Sequence, residues 1–362
     1  MYRILLTTTA ASLLATTAMA GGIDRAPFTT GILFEEGNYA ELSFGYARPS
    51  VDGTFTPGPV LNSGNVAGDY FSYGAGVKWD IDNNWAFALI LDNPVGADVD
   101  YTDADAGYPF AGTTAEVDST GITGILKYTT ANNISVYGGL RAETLQGTVS
   151  DLPTGGPAGT YTLDTNTSTE LGYIVGVAWE RPDIAARVAL TYQSERNHDL
   201  DGTESFSAVG PAGTNTFTTT LPQTVTLDFQ SGVAADTLVF GSLKWTDWSE
   251  FDIIPVALGS ALVEYEDDVY ALNLGVGRRF NETWSGAITI GYETGTGQPT
   301  GNLGPTEGQK SIGVGVTYAQ GPMEITTGVR YVDLGDATTT TIGAEFEDNS
   351  AIGVGVRVGY SF

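Results

Sequence analysis

Residues 352–362, the last eleven of the chain, alternate strictly and end on an aromatic side chain at the C-terminus. Successive side chains of a strand point to opposite faces, so Ile352, Val354, Val356, Val358, Tyr360 and Phe362 share one face. Gly353, Gly355, Arg357, Gly359 and Ser361 share the other. The first face suits lipid and the second an aqueous lumen, the pattern of a strand that closes an outer-membrane barrel. A strand of a soluble sandwich alternates as regularly, so the terminal phenylalanine and the opposite end of the chain decide between the two.

The opposite end reads as an export signal. Met1-Tyr2-Arg3 gives a short basic start, residues 4–17 an apolar, threonine-rich stretch, and Ala18-Met19-Ala20 a small-residue cleavage site. Residues 1–20 are therefore expected to be removed, leaving a mature chain that begins at Gly21. No later segment approaches the roughly 20 consecutive apolar residues of a membrane helix, so a membrane-embedded mature chain has to be a closed barrel. Export plus barrel implies a bacterial outer membrane, with lipid and lipopolysaccharide as the surroundings.

The 48 Gly suit turns and lumen-facing positions, and the 18 Tyr, 15 Phe and 6 Trp suit interfacial girdles. With no Cys, disulfides, zinc-thiolate sites and thiol catalysis are excluded, so stability must come from the hydrogen-bond ladder of a closed sheet. A net charge of −28 excludes a nucleic-acid partner, which requires a basic face. Acidic residues cluster in presumed loops, at Asp98, Asp100, Asp103 and Asp105 and at Glu264, Glu266, Asp267 and Asp268. Their spacing matches no ordered calcium loop, and solvated loop carboxylates are the expected reading, with no metal site.

Short turns at residues 82–84, 130–133, 180–183, 231–235, 280–282 and 319–322 alternate with long connections near 49–68, 93–113, 149–160, 197–215, 248–261, 296–306 and 334–342. The expected fold is all-β, a transmembrane antiparallel β-barrel of about 14 strands over residues 39–362, with periplasmic turns and outward loops. Phe71, Tyr73, Val77 and Trp79 share one predicted lipid face, as do Ile312, Val314, Val316 and Tyr318. Lys78, Lys127, Arg141, Arg187, Lys244, Arg330 and Arg357 fall on the inward register. They either pair with inward carboxylates such as Glu143 and Glu324 or attract an anionic headgroup. Ala86, Ala88, Ile90 and Phe240 also face inward, and a mixed apolar and cationic lumen suits an amphiphile with a carboxylate better than a hydrated sugar.

Three stretches carry a family resemblance: Leu243-Lys244-Trp245-Thr246-Asp247-Trp248-Ser249-Glu250-Phe251, Leu91-Asp92-Asn93-Pro94-Val95-Gly96, and residues 273–280 followed by 284–292. The chain resembles the long-chain fatty-acid outer-membrane transporters, the FadL family, over most of its mature length. The resemblance implies a monomeric fourteen-stranded barrel with an N-terminal plug, capture of a hydrophobic substrate by outer loops, and passive diffusion to a lateral or periplasmic exit. The departure is at the start, where residues 21–38 precede the first strand and lack the Asn-Pro-Ala turn typical of the family's longer plug. Phe28, Ile32, Leu33 and Phe34 would line or stopper the lumen, with Arg25, Glu35 and Glu36 as tethers; a frayed periplasmic tail is the alternative.

No enzymatic constellation and no cofactor is indicated. His198, the single histidine, lies beside Asp199 and Asp201 in a presumed outer loop and reads as a solvated residue. The Trp245–Ser249 cluster reads as a girdle and loop anchor. The expected function is passive uptake of hydrophobic or amphipathic compounds, foremost long-chain fatty acids. Capture would occur on Tyr108-Pro109-Phe110 and Phe217, followed by passage across Phe28, Ile32 and Phe34 and the inward Arg141, Lys244 and Arg330. On that reading, substitutions at these three cations weaken carboxylate ligands more than neutral ones. A water-filled diffusion porin and an adhesive or structural barrel are the rival readings.

Overall fold

The computed structural model describes residues 23–25 and 28–362, and the expected signal sequence lies outside that range. Fourteen antiparallel strands form the wall. They are β1 (Tyr39–Ser50), β2 (Tyr70–Asp80), β3 (Trp85–Asp92, continuing as Gly96–Asp100), β4 (Thr114–Thr129), β5 (Ile134–Pro153), β6 (Ser168–Arg181) and β7 (Ala186–Gln193, continuing as Arg196–Phe206). The second half is β8 (Gly210–Leu221, continuing as Thr224–Ala234), β9 (Thr237–Thr246), β10 (Val269–Arg279), β11 (Trp284–Glu293), β12 (Gln309–Gln320), β13 (Met323–Leu334) and β14 (Ser350–Ser361). The alternating C-terminal strand closes the barrel on β1, in register from Tyr39 opposite Ser361 to Ser50 opposite Ser350. Closure leaves no sheet edge in lipid, where an unpaired backbone group is costly.

The predicted lipid face is the exposed one: Phe71, Tyr73, Leu89, Ile288, Ile312, Val314, Ile352 and Val354 all point outward, whereas Lys78, Arg141, Arg330 and Arg357 are buried on the inside. Aromatic side chains mark the two boundaries of the apolar band. Near the short turns, Trp85 packs on Tyr128 at 4.8 Å and Trp284 on Tyr318 at 5.0 Å between ring centroids. Near the loops, Tyr46 packs on Phe71 at 5.0 Å and Tyr173 on Tyr192 at 5.9 Å. Two of the short turns are pinned by side chains that mimic a backbone turn. The Asp82 carboxylate accepts from the N–H groups of Asn84 and Trp85, both at 2.8 Å, and the Asn281 carbonyl accepts from Thr283 and Trp284, both at 2.9 Å.

The apolar core lies at the loop end. Val51, Val66, Tyr101, Tyr108, Phe110, Trp248, Phe251 and Phe346 pack there in one cluster. A small sheet of residues Asp52–Phe55, Leu61–Asn65, Ala337–Thr338 and Glu345–Phe346 covers it. The buried Phe346 ring lies against Gly53, where an added Cβ would meet it at 2.5 Å.

Several expected loops are strand in part, the small sheet just described and Gly96–Asp100 of β3 among them. β5 continues to Pro153, and residues 197–215 belong to the paired extensions of β7 and β8. The polar composition that suggested a loop is the outer face of a hairpin standing above the apolar band. Thr220, Thr218 and Thr216 donate to Asn197, Asp199 and Asp201 at 2.7, 2.7 and 2.5 Å, a cross-strand ladder in register. His198 alternates with these residues and is fully buried, so the solvated-loop reading is corrected. Tyr108, Phe110 and Phe217 are likewise buried among loop-end side chains and do not form an exposed capture surface.

Lipid-face positions are expected to reject charge. Ile288→Arg, near mid-strand between Trp284 and Tyr292, should destabilise the barrel by about 2–4 kcal/mol. Denaturant unfolding in detergent, with Val209→Arg in the exposed β7–β8 connection as a near-neutral control, checks this.

Candidate functional site

Inward cations hold the segment that leads into β1. Residues Gly31–Phe34 form a turn of 3₁₀ helix whose Ile32 and Leu33 are buried against Tyr39, Ala88, Ile125 and Tyr137. Lys78 on β2 donates to the carbonyls of Glu35 and Gly37 at 2.9 and 2.8 Å, and Lys127 on β4 donates to the Leu33 carbonyl. The Phe34 ring lies between Lys127 at 4.7 Å and Arg187 at 4.4 Å, and the Phe28 ring faces the Arg141 guanidinium at 5.1 Å. Of the three expected tethers, Arg25 pairs with Asp118 at 3.7 Å, Glu35 acts through its carbonyl, and Glu36 is exposed.

The second element is an interruption of β3 at Asn93-Pro94-Val95. Its ladder with β2 stops at Gly74 opposite Asp92, leaving residues 70–73 of β2 without a β3 backbone partner. Pro94 has no N–H to contribute. The Asn93 side chain substitutes for the ladder, accepting from Tyr73 N at 2.9 Å and donating to the Phe71 carbonyl at 3.3 Å. On the inner side, residues 23–25 pair with the interruption: Arg25 N donates to Pro94 O and Gly96 N to Ile23 O, both at 2.8 Å. Arg25 crosses close over Gly96, where an added Cβ would lie 2.4 Å from its Nε. Asp24 is salt-bridged to Lys244 at 2.5 Å.

A buried ionic network anchors the base of the interruption. Arg141 binds Asp92, the last residue before the break, at 2.9 Å, Glu143 at 2.6 Å and the Thr123 hydroxyl at 2.8 Å. Arg196 on β7 pairs with the same Glu143 oxygen at 3.2 Å. Gly121 on β4 leaves room for the Arg141 guanidinium, since an added Cβ would lie 2.2 Å from its Nη2. Arg330 stands elsewhere on the wall, donating to the Asn273 side chain at 2.7 Å, with Glu293 within electrostatic reach.

Among the cavities inside the barrel, two adjoin these elements. One at the loop end is almost wholly apolar, lined by residues including Val99, Ala115, Leu145, Leu200, Phe217 and Leu262. The other lies deeper and is mixed, lined by Asp24, Phe28, Thr191, Arg196, Lys244 and Trp248 among others. Phe28 and Lys244 are thus brought to one cavity and Arg141 to its edge, while Ile32 and Phe34 lie nearer the turn end and Arg330 stands apart. No cluster of side chains suited to a metal ion occurs among the described residues.

The chain matches the family model for outer membrane protein transport protein (OMPP1/FadL/TodX) over residues 18–362. It belongs to the OMPP1/FadL/TodX family. Solved structures agree in fold at low identity. A Pseudomonas aeruginosa FadL homologue superposes with a TM-score of 0.72 at 15% identity, covering 92% of each chain. The Ralstonia pickettii toluene transporter TbuX gives 0.65 at 16%, covering 98% of this chain and 97% of the other. The Pseudomonas putida toluene transporter TodX gives 0.66 at 12%, covering 95% and 96%. No curated protein matches the chain.

This OMPP1/FadL/TodX member is therefore an outer-membrane protein of a family of channels for hydrophobic compounds. The family is made up of transporters, not enzymes. Sequence reasoning named Arg141 and Glu143 but missed Asp92, the second partner of Arg141, and Arg196, the second cation on Glu143. Arginines at inward strand positions beside Gly121 and Gly172 on neighbouring strands were the available signal. Removing one member of this network strands the others in a dry interior. Arg141→Met should cost about 3–5 kcal/mol in equilibrium unfolding, because it leaves Asp92 and Glu143 with fewer counter-charges.

Proposed function

We propose that this family member mediates passive uptake of hydrophobic and amphipathic compounds, with long-chain fatty acids recognised chiefly by their acyl chains. The observation that carries this reading is the apolar cavity at the loop end, in which Leu145, Leu200 and Phe217 offer an oily lining with almost no polar surface. Such a cavity attracts hydrocarbon through burial of apolar area and gives nothing to a hydrated sugar. The lumenal cations support recognition by the chain over recognition by the headgroup. Lys78, Lys127, Arg141, Arg187, Lys244, Arg330 and Arg357 are all engaged with carboxylates, carbonyls, rings or amides, so a ligand carboxylate has to displace a partner.

On this reading a solute enters the loop-end cavity, passes the residues 23–34 segment, and leaves sideways through the wall beside Asn93–Val95. There β2 and β3 are joined by a side chain instead of a ladder, and Phe71 projects outward. Residues 21–38 serve as a short plug, and the barrel works as a monomer set in lipid and lipopolysaccharide. A second reading, small uncharged aromatic hydrocarbons as the cargo, is favoured by the engagement of every lumenal cation just described.

Labelled oleate and toluene uptake by cells with and without the protein, beside sugar flux in proteoliposomes, tests the proposal. Protein-dependent uptake of either hydrophobic probe with little sugar flux is expected. Rapid sugar flux without hydrophobic uptake would identify an open porin, and no flux of any kind an adhesive barrel. Leu200→Asp, which puts a charge in the apolar cavity, should lower hydrophobic uptake about ten-fold or more at unchanged surface abundance.

A further inference from the structure

On β5, β7 and β8 the mixed and the apolar cavity are separated by one layer of polar side chains. Along β5, Glu143 is followed on the same face by Leu145; along β7, His198 by Leu200; along β8, Thr219 is preceded by Phe217. Leu145, Leu200 and Phe217 line the apolar cavity, whereas Arg196 and Leu221, one alternation beyond His198 and Thr219 in the other direction, line the mixed one. The layer is one strand repeat thick, roughly 7 Å. His198 and Thr219 stand directly opposite each other on paired strands.

All three side chains are completely buried, yet four of their polar atoms have no hydrogen-bond partner: Glu143 Oε1, His198 Nδ1 and Nε2, and Thr219 Oγ1. Buried polar atoms are ordinarily satisfied, and such a concentration of unsatisfied ones marks a place where a partner belongs. The charges nearby are balanced. Asp92 and Glu143 offset Arg141 and Arg196, and the second Glu143 oxygen is already held by both guanidiniums.

We propose that Glu143, His198 and Thr219, one strand repeat below the lining residues Leu145, Leu200 and Phe217, form a recognition site for the hydroxyl head of an uncharged long-chain amphiphile, which enters by parting the packed layer. The proposal rests on the hydrophobic-uptake reading and names a substrate class for it. A hydroxyl donates one hydrogen bond, to Glu143 Oε1, and accepts from His198 or Thr219, so it serves both an acceptor and a donor of this layer. A carboxylate would place a second anion against Glu143. An ammonium would lie beside two guanidiniums. An alkane satisfies none of the four atoms. With its head at this layer, the hydrocarbon tail extends into the cavity lined by Leu145, Leu200 and Phe217.

The test is equilibrium binding of radiolabelled 1-dodecanol, dodecane and dodecanoate to the purified full-length barrel in amphipol, with heat-modifiable gel mobility as the check of folding. The unsubstituted protein should bind dodecanol about ten-fold or more tighter than dodecane, and dodecanoate less tightly than dodecanol. Thr219→Val, close in shape, and His198→Phe should each abolish most of that preference and leave dodecane binding unchanged. Equal binding of dodecanol and dodecane by the unsubstituted chain overturns the site while leaving hydrophobic uptake standing. So does tighter binding of dodecanoate, or a loss in the folded Thr219→Val variant that is equal for alcohol and alkane. Absence of binding by all three probes overturns both readings together.

Discussion

In hydrocarbon every backbone N–H and C=O must be satisfied within the protein, and the closed ladder from β1 round to β14 meets that demand. The points where the ladder lapses therefore carry information. At Asn93–Val95 the wall is completed on one side by an asparagine side chain and on the other by residues 23–25, which are not part of the barrel sheet. The N-terminal segment and the wall are thus mutually dependent: the backbone of residues 23–25 pairs where the strand is broken, and those residues cover the break from inside.

The chain has 15 basic residues among 362, and about half are committed to the lumen wall. Each of them meets groups of the protein itself. Lys78 and Lys127 take up carbonyls at the end of the Gly31–Phe34 turn, Lys127 and Arg187 sandwich Phe34, and Arg141 ties Asp92 to β5. Several of the groups they hold are backbone carbonyls and aromatic rings in place of the expected carboxylates.

The membrane-embedded part of the fold was legible because alternation is a strict geometric consequence of the strand, and the six short turns carry their own turn residues such as Asp82 and Asn281. Strand boundaries above the apolar band were not, since the outer face there meets water and loses its hydrophobic signal. Asp199 and Asp201 looked like loop residues for that reason, although their threonine partners at Thr218 and Thr216 lie at matching positions on the next strand. The site was only partly legible. Phe28, Lys244 and Arg141 were named correctly as inward, but which cation meets which anion depends on pairing between distant strands, and no local pattern encodes that Arg141 and Arg196 converge on one carboxylate.

The β7–β8 hairpin has a further consequence. Its eleven-residue arm from Arg196 to Phe206, at about 3.4 Å per residue, carries the paired wall roughly 35 Å beyond the break at Ser194 and Glu195. Leu200 and Phe217 on its inner side hold part of the apolar cavity at that height. That part of the apolar lining is thus carried by paired strand, fixed in register by the threonine ladder, and not by free loop.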